Sequence, residues 1–163
     1  PSIEKGFEQS MKNGVLAGYP MDSMKVELLD GSFHAVDSDA LSFEICAKMA
    51  YRNAIPQCGA ELLEPIMKLE VVTPEGNMGD VVGDLNSKRA KILEMTDRGN
   101  MKVVIAEVPL GEMFGYATAL RSKSQGRASF SMEFFDYQEV PRNVANEIVA
   151  SRGDGEEKKE IAE

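Results

Sequence analysis

Between Leu62 and Val140 the spacing of apolar residues changes period repeatedly, and that rhythm constrains the fold more than any other feature. Ile66 to Val72 alternates, with Met67, Leu69 and Val71 on one face, as a half-buried strand does. Thr73-Pro74 then reads as a helix start, Thr as cap and Pro at the first helical position. The helix stripe is Met78, Val81, Val82 and Leu85. A strand is predicted around Lys91 to Met95, a tight turn at Asp97-Arg-Gly-Asn100, and a strand in which Met101, Val103 and Ile105 alternate. Pro109 opens a second helix with Leu110, Met113, Phe114, Ala117 and Leu120 inward. Gly126 breaks it, and Ala128, Phe130, Met132 and Phe134 alternate in a last strand.

Strand, helix, strand, strand, helix, strand is the ferredoxin-like order: a four-stranded antiparallel sheet with both helices on one face. The order fixes architecture and leaves activity open, because many functions use it.

Residues 1–61 read differently. Ser2 can cap a helix with the stripe Ile3, Phe7 and Met11, ended by Asn13-Gly14. Met24, Val26 and Leu28 alternate as a strand, broken at Asp30-Gly31. Asp37 or Ser38 starts a second helix with Leu41, Ile45 and Met49 as its stripe, Cys46 and Ala50 beside it, and a stop near Asn53 before Pro56. Two helices and one strand are too little for a self-contained α+β domain. The expectation is a truncated βαβ-type domain followed by the sandwich, α+β throughout. The chain opens on Pro1, so it is expected to be a piece of a longer protein. After Pro141 a short helix with Val144, Ile148 and Val149 inward should end at Gly153, and the charged stretch 154–163 reads as a disordered acidic tail.

Composition narrows function by exclusion. The net charge of −9 is spread along the chain, which argues against binding nucleic acid through bulk charge. Any RNA contact must be local. Cys46 and Cys58 with the single His34 cannot complete a zinc site and read as reduced thiols. No Gly-x-x-x-x-Gly-Lys-Ser/Thr loop and no Gly-x-Ser-x-Gly elbow occurs, so no nucleotide site, catalytic residue or metal site is expected in this chain. Gly76-Asn-Met-Gly79 fits a helix start better than a phosphate loop. Asp80 and Asp84, one helical turn apart, read as a solvated face rather than a metal pair. No apolar run approaches the ~18–20 residues that cross a membrane, and no charged-then-apolar stretch is visible, so no secretion signal is expected.

Several ordered blocks carry a resemblance. They are Leu16-Ala-Gly-Tyr-Pro20, Gly31-Ser-Phe-His34 with Val36-Asp-Ser38, Leu63-Glu-Pro-Ile-Met67, Gly79-Asp80 with Gly83-Asp-Leu85, Glu107-Val-Pro-Leu110, Gly111-Glu-Met-Phe-Gly-Tyr-Ala-Thr118 and Ser124-Gln-Gly-Arg-Ala-Ser129. Together they resemble the C-terminal end of elongation factor G, the GTPase that moves tRNA and mRNA through the ribosome. The resemblance implies the later part of domain IV in residues 1–61 and domain V in 62–140, with a C-terminal helix over 141–153. It also implies that GTP and Mg belong to an N-terminal domain outside this chain, that the chain alone neither hydrolyses GTP nor translocates, and that the protein is cytoplasmic.

In the family, domain IV is the arm that reaches the decoding site. The resemblance therefore implies that Gly31, Ser32, Phe33 and His34 form a tip loop near mRNA and A-site tRNA. An imidazole on such a tip can donate to phosphate or ribose, or stack on a base, without a large basic patch. Read without the resemblance, His34 is a plain surface histidine. Domain V in the family sits near the GTPase-associated region and the sarcin–ricin loop. Two patches qualify as rRNA contacts there: Lys88, Arg89 and Lys91, and Arg121, Lys123 and Arg127. The alternative is solvated helix-end charge. Implied partners are the ribosome (rRNA and ribosomal proteins near the GTPase-associated region, with A-site tRNA and mRNA) and the upstream domains of the same protein, with no membrane. Three other readings stay open: a paralogue for ribosome protection or recycling, a stand-alone ferredoxin-like binding module, and a small hydrolase of the same fold. The hydrolase would need an arginine loop beside the first strand, and Val72-Thr-Pro-Glu75 supplies none.

Overall fold

In the computed structural model the backbone is described for residues 1–160 and the side chains for residues 1–152. The chain divides into two compact units. One comprises Leu63–Glu139, and the other joins Pro1–Leu62 to the chain from Val140 onward.

The Leu63–Glu139 unit has β1 (Leu63–Pro74), α3 (Met78–Ser87), β2 (Lys91–Arg98), β3 (Met101–Pro109), α4 (Tyr116–Ser124) and β4 (Ser129–Glu139). The first two helices of the chain, α1 (Ser2–Met11) and α2 (Ala40–Ala54), belong to the other unit. The sheet order is β2-β3-β1-β4, antiparallel throughout. Leu69 and Val71 of β1, with Val104, Ala106 and Val108 of β3, bury one face under Val81 and Leu85 of α3 and Tyr116 and Leu120 of α4. At about 1.5–3 kcal/mol per fully buried large apolar side chain, this layer is the main favourable term in the unit.

Three local expectations change here. β1 does not stop for a helix cap at Thr73. The ladder continues, with Thr73 opposite Lys102 and Pro74 opposite Met101, and a short turn over Glu75–Asn77 leads into α3. Thr73 is wholly buried, so sheet pairing overrides the local cap signal. Pro109 ends β3 rather than opening a helix. A turn at Leu110–Glu112 and the left-handed Gly115 (φ 77°) delay α4 to Tyr116. That delay rotates the helix: Phe114 is 81% exposed, Ala117 is also outside, and Tyr116 enters the core. On β3 the residues under the helices are Val104, Ala106 and Val108. Val103 is buried as well, outside that cluster.

The other unit departs further. Ser2 lies inside α1, which has no side-chain cap, and Asp39 caps α2 by accepting from Ser42 N–H at 2.7 Å. That bond holds the Asp39 carboxyl below its ordinary pKa. Met24, Val26 and Leu28 form no strand. Their segment is irregular, because a strand exists only beside a partner and none lies next to it among the described residues. α2 runs to Ala54 and turns through Ile55–Gln57. It buries Ala47 and Tyr51, whereas Leu41, Ile45 and Met49, its expected inward stripe, are exposed. α1 crosses α2 at Gly6, where a Cβ would lie 2.6 Å from Glu44 O and 2.7 Å from the Ala47 Cβ. Glu44 receives Lys48 at 2.9 Å and Lys5 at 3.0 Å, and these bonds lower its pKa.

The last helix, α5 (Arg142–Glu160), does not end at Gly153. It belongs with the first 62 residues rather than standing apart. Arg152 donates to Ala17 O at 2.9 Å and sits 3.9 Å from the centre of the Tyr19 ring. Of the expected disordered tail, 154–160 are helical in backbone, and 161–163 lie outside the described residues. Among the described residues no helix is long and apolar enough to cross a membrane.

The close approach at Gly6 gives a test. Gly6→Ala is expected to cost about 1–3 kcal/mol by overpacking. Gly83→Ala, mid-helix with open space around it, should gain up to about 1 kcal/mol. Hydrogen exchange in α1 and α3 under increasing urea reads both. Equal effects would show that α1 and α2 are not packed through Gly6.

Candidate nucleic-acid interface

Two sets of residues stand out, and the structure treats them differently. Gly31, Ser32, Phe33 and His34 are all exposed, in irregular chain between residues 24–29 and α2. The loop is not a hairpin tip among the described residues, because the strand expected before it does not form. It is nonetheless tied at its base. His34 N–H donates to Ser38 Oγ at 2.8 Å, and His34 O accepts from Ser38 N–H at 3.1 Å and Asp37 N–H at 3.3 Å. These bonds fix the His34 backbone and leave the ring outside. Phe33 beside it is 69% exposed. Asp30, Asp37 and Asp39 surround the loop, and no cation occurs between Lys25 and Lys48. Such a loop can stack on bases or bond to ribose and phosphate through one ring, but it offers no field to hold a backbone.

The six candidate cations, of nine in the sheet unit, separate into two ends of α3. Its ten residues span about 15 Å. Lys88 caps the C-terminal end, with Arg89 and Lys91 just after it. At the other end Asn77 binds the α4 terminus: its Nδ2 donates to Lys123 O at 3.2 Å, and its Oδ1 accepts from Arg127 at 3.4 Å. The buried Ser124 shapes that corner, donating to Leu120 O at 2.7 Å and accepting from Ala128 N–H at 3.1 Å. Left-handed Gln125 (φ 55°) and Gly126 (φ 76°) then turn the chain back.

Within each set the cations are unequal. Arg89 makes a bidentate bond to Glu64 at 2.7 and 2.9 Å and a third to Glu112 at 3.1 Å. The bond to Glu64 above all keeps its guanidinium charged well beyond the ordinary range. It holds this geometry from a left-handed backbone (φ 59°), tying the start of β2 to β1 and to the turn before α4. Lys123 pairs with Asp84, so Asp84 is not the solvated carboxylate the helix pattern suggested. Lys88, Lys91, Arg121 and Arg127 have no ion-pair partner among the described residues. Arg89 and Lys123 are therefore structural pairs, and these four cations remain for an anionic partner. Spacing missed Arg89 as a clamp. Its only sequence signal was a cation directly behind a helix, between glutamates remote in the chain.

Comparison with known proteins assigns the chain and its fold to a class. Residues 1–59 match the family described as elongation factor G, domain IV, and residues 61–148 match the elongation factor G C-terminus. The chain belongs to the elongation factor G family, as a region of a translation elongation factor. It is also similar to a crystal structure of a protein from Thermus thermophilus, at 40% identity and a TM-score of 0.84. That match covers 94% of this chain and 23% of the other.

Tyr116 gives a pH signature of the core beside this surface. Burial, reinforced by the Asp84 charge, pushes its phenol up to about 12, and its buried OH has no hydrogen-bond partner among the described residues. The folded state holds this proton where the unfolded chain, near 10, releases it. Stability should therefore fall as pH rises from about 10 toward about 12. Tyr116→Phe should remove that loss and leave neutral-pH stability equal or higher. Unfolding midpoints of both proteins across that range decide it, and parallel curves would exclude Tyr116 as the source. Separately, Arg89→Ala should destabilise the sheet unit by about 1–3 kcal/mol, whereas Arg121→Ala should change it by less than about 0.5 kcal/mol. Urea unfolding followed by circular dichroism measures both, and equal costs would mean that the Arg89 clamp is not structural.

Proposed function

We propose that this chain is the ribosome-contacting part of a translational GTPase that promotes tRNA–mRNA translocation in the cytoplasm. The observation that carries this reading is the His34 loop, backbone-tied and ring-exposed, inside the segment that matches domain IV. In this reading the loop meets mRNA and A-site tRNA through Phe33 and His34. Lys88, Lys91, Arg121 and Arg127 meet rRNA near the GTPase-associated region, while Arg89 and Lys123 hold those surfaces in shape. GTP and Mg are bound by a domain outside this chain, and the chain contributes position rather than hydrolysis. The chain spans 23% of the matched Thermus chain, so the activity proposed here is that of a larger protein. Ribosome protection or recycling by a paralogue would use the same surfaces. A protein of that kind would bind ribosomes without moving tRNA.

The test uses the full-length protein. His34→Ala should slow translocation by about tenfold or more, as a lost positioning contact does, and leave ribosome-stimulated GTP hydrolysis unchanged. Equal loss of both activities would remove the tip assignment. Arg127→Ala should instead weaken ribosome-stimulated hydrolysis with the fold intact, and an unchanged rate would make Arg127 a solvated charge. Ribosome binding without any translocation in the unmodified protein would favour the paralogue.

A further inference from the structure

β4 is an edge strand, and its chemistry is unlike that of the other edge. The sheet order leaves it paired to β1 alone. Apart from Tyr137 N–H, which donates to Asp136 Oδ1 at 2.8 Å, its backbone groups bond only to β1 among the described residues. A β-bulge where Ile66 and Met67 pair with Asp136 and Phe134 leaves Phe135 as the extra residue. The bulge resets the alternation, so Phe134 and Tyr137, three apart, share a face with ring centroids 5.2 Å apart. Phe134, Phe135 and Tyr137 are 55%, 50% and 58% exposed. Over its 11 residues β4 carries Glu133, Asp136 and Glu139 and no cation. The opposite edge, β2, is shorter and mixes Lys91 and Arg98 with its acids.

We propose that the free edge of β4 is a docking site for an extended, basic, apolar protein segment that joins the sheet as a fifth strand. Natural sheets blunt long apolar edges, and three acids do so selectively. They repel RNA phosphate, which separates this edge from the Lys88 and Arg127 surfaces. They also oppose a second copy of the chain. An antiparallel β4–β4 pair with its axis between Phe134 and Phe135 sets Glu133 against Asp136, and an axis through Asp136 sets that residue against itself and Glu133 against Glu139. A strand with lysines or arginines opposite the acids satisfies the same positions, while its apolar residues cover the aromatic pair and its backbone completes the ladder. The edge alone carries this docking role, which does not depend on the translocation reading.

The test mixes the full chain with a short fluorescein-labelled peptide of alternating lysine and valine and follows anisotropy and hydrogen exchange. The matched glutamate–valine peptide and a single-stranded uridine oligonucleotide serve as comparisons. The lysine peptide should bind, slow exchange within residues 129–139, and lose about tenfold or more in affinity on Glu133→Lys with Asp136→Lys, because like charges are then juxtaposed. The exchange map of the unmodified protein tests the site even where a variant fails to fold. Equal binding of both peptides, protection on β2 instead of β4, protection of β4 by the oligonucleotide, or protection of β4 by concentration-dependent self-association would each overturn the proposal.

Discussion

β1 is the strand on which the Leu63–Glu139 unit depends. It is paired on both sides, to β3 and to β4, and Leu69, Val71 and Thr73 are without exposed surface. A strand held by two ladders and covered by two helices cannot shift register by one residue without turning its buried face to water. Every candidate contact surface of this unit inherits that rigidity. Glu64 at its beginning anchors Arg89, Pro74 at its end leads into the turn that presents Asn77 to Arg127, and Met67 and Ile66 frame the β4 bulge. Side chains of this unit that act on a partner are therefore placed by the sheet rather than by their own loops.

The sheet was legible because its information is local. Period-two alternation in Met67, Leu69 and Val71 and the Val81–Leu85 stripe need no knowledge of distant residues. The errors arose where distant pairing decides. Thr73-Pro74 carries a genuine helix-start signal, yet Lys102 and Met101 lie opposite and keep both residues in the ladder. Phe114 and Tyr116 are both large and aromatic, and only the left-handed turn at Gly115 determines which of them enters the core. Met24, Val26 and Leu28 alternate well enough, but alternation describes a face and cannot supply a neighbouring strand. The exposed stripe of α2 is the same deficit in helical form: an apolar face with nothing laid on it among the described residues.

The candidate site was legible by residue type and illegible by partner. Sequence marks six cations in the sheet unit as equivalent, whereas geometry commits Arg89 to two glutamates and Lys123 to Asp84. The glutamates that claim Arg89 lie 25 and 23 residues away, beyond any spacing rule. The His34 loop is the reverse case. Residue type alone made it ordinary, the family pattern singled it out, and the structure adds the Ser38 tie that fixes its backbone.

The charge distribution then gives a division of labour. The sheet unit pairs Arg89, Arg98, Lys102 and Lys123 internally, and the chain as a whole is strongly acidic. Such a surface gains little from random encounter with RNA, since the counterion release that drives nonspecific binding requires many phosphate contacts at once. A few unpaired cations and one cation-free aromatic loop bind usefully only when something else has already oriented them. Acidity of this kind suits a surface whose contacts follow from placement, where a strongly basic one would hold at wrong positions and release slowly. If the acidic edge of β4 takes a protein neighbour and the unpaired cations take RNA, as proposed, opposite signs of charge keep two partners of one unit from exchanging places.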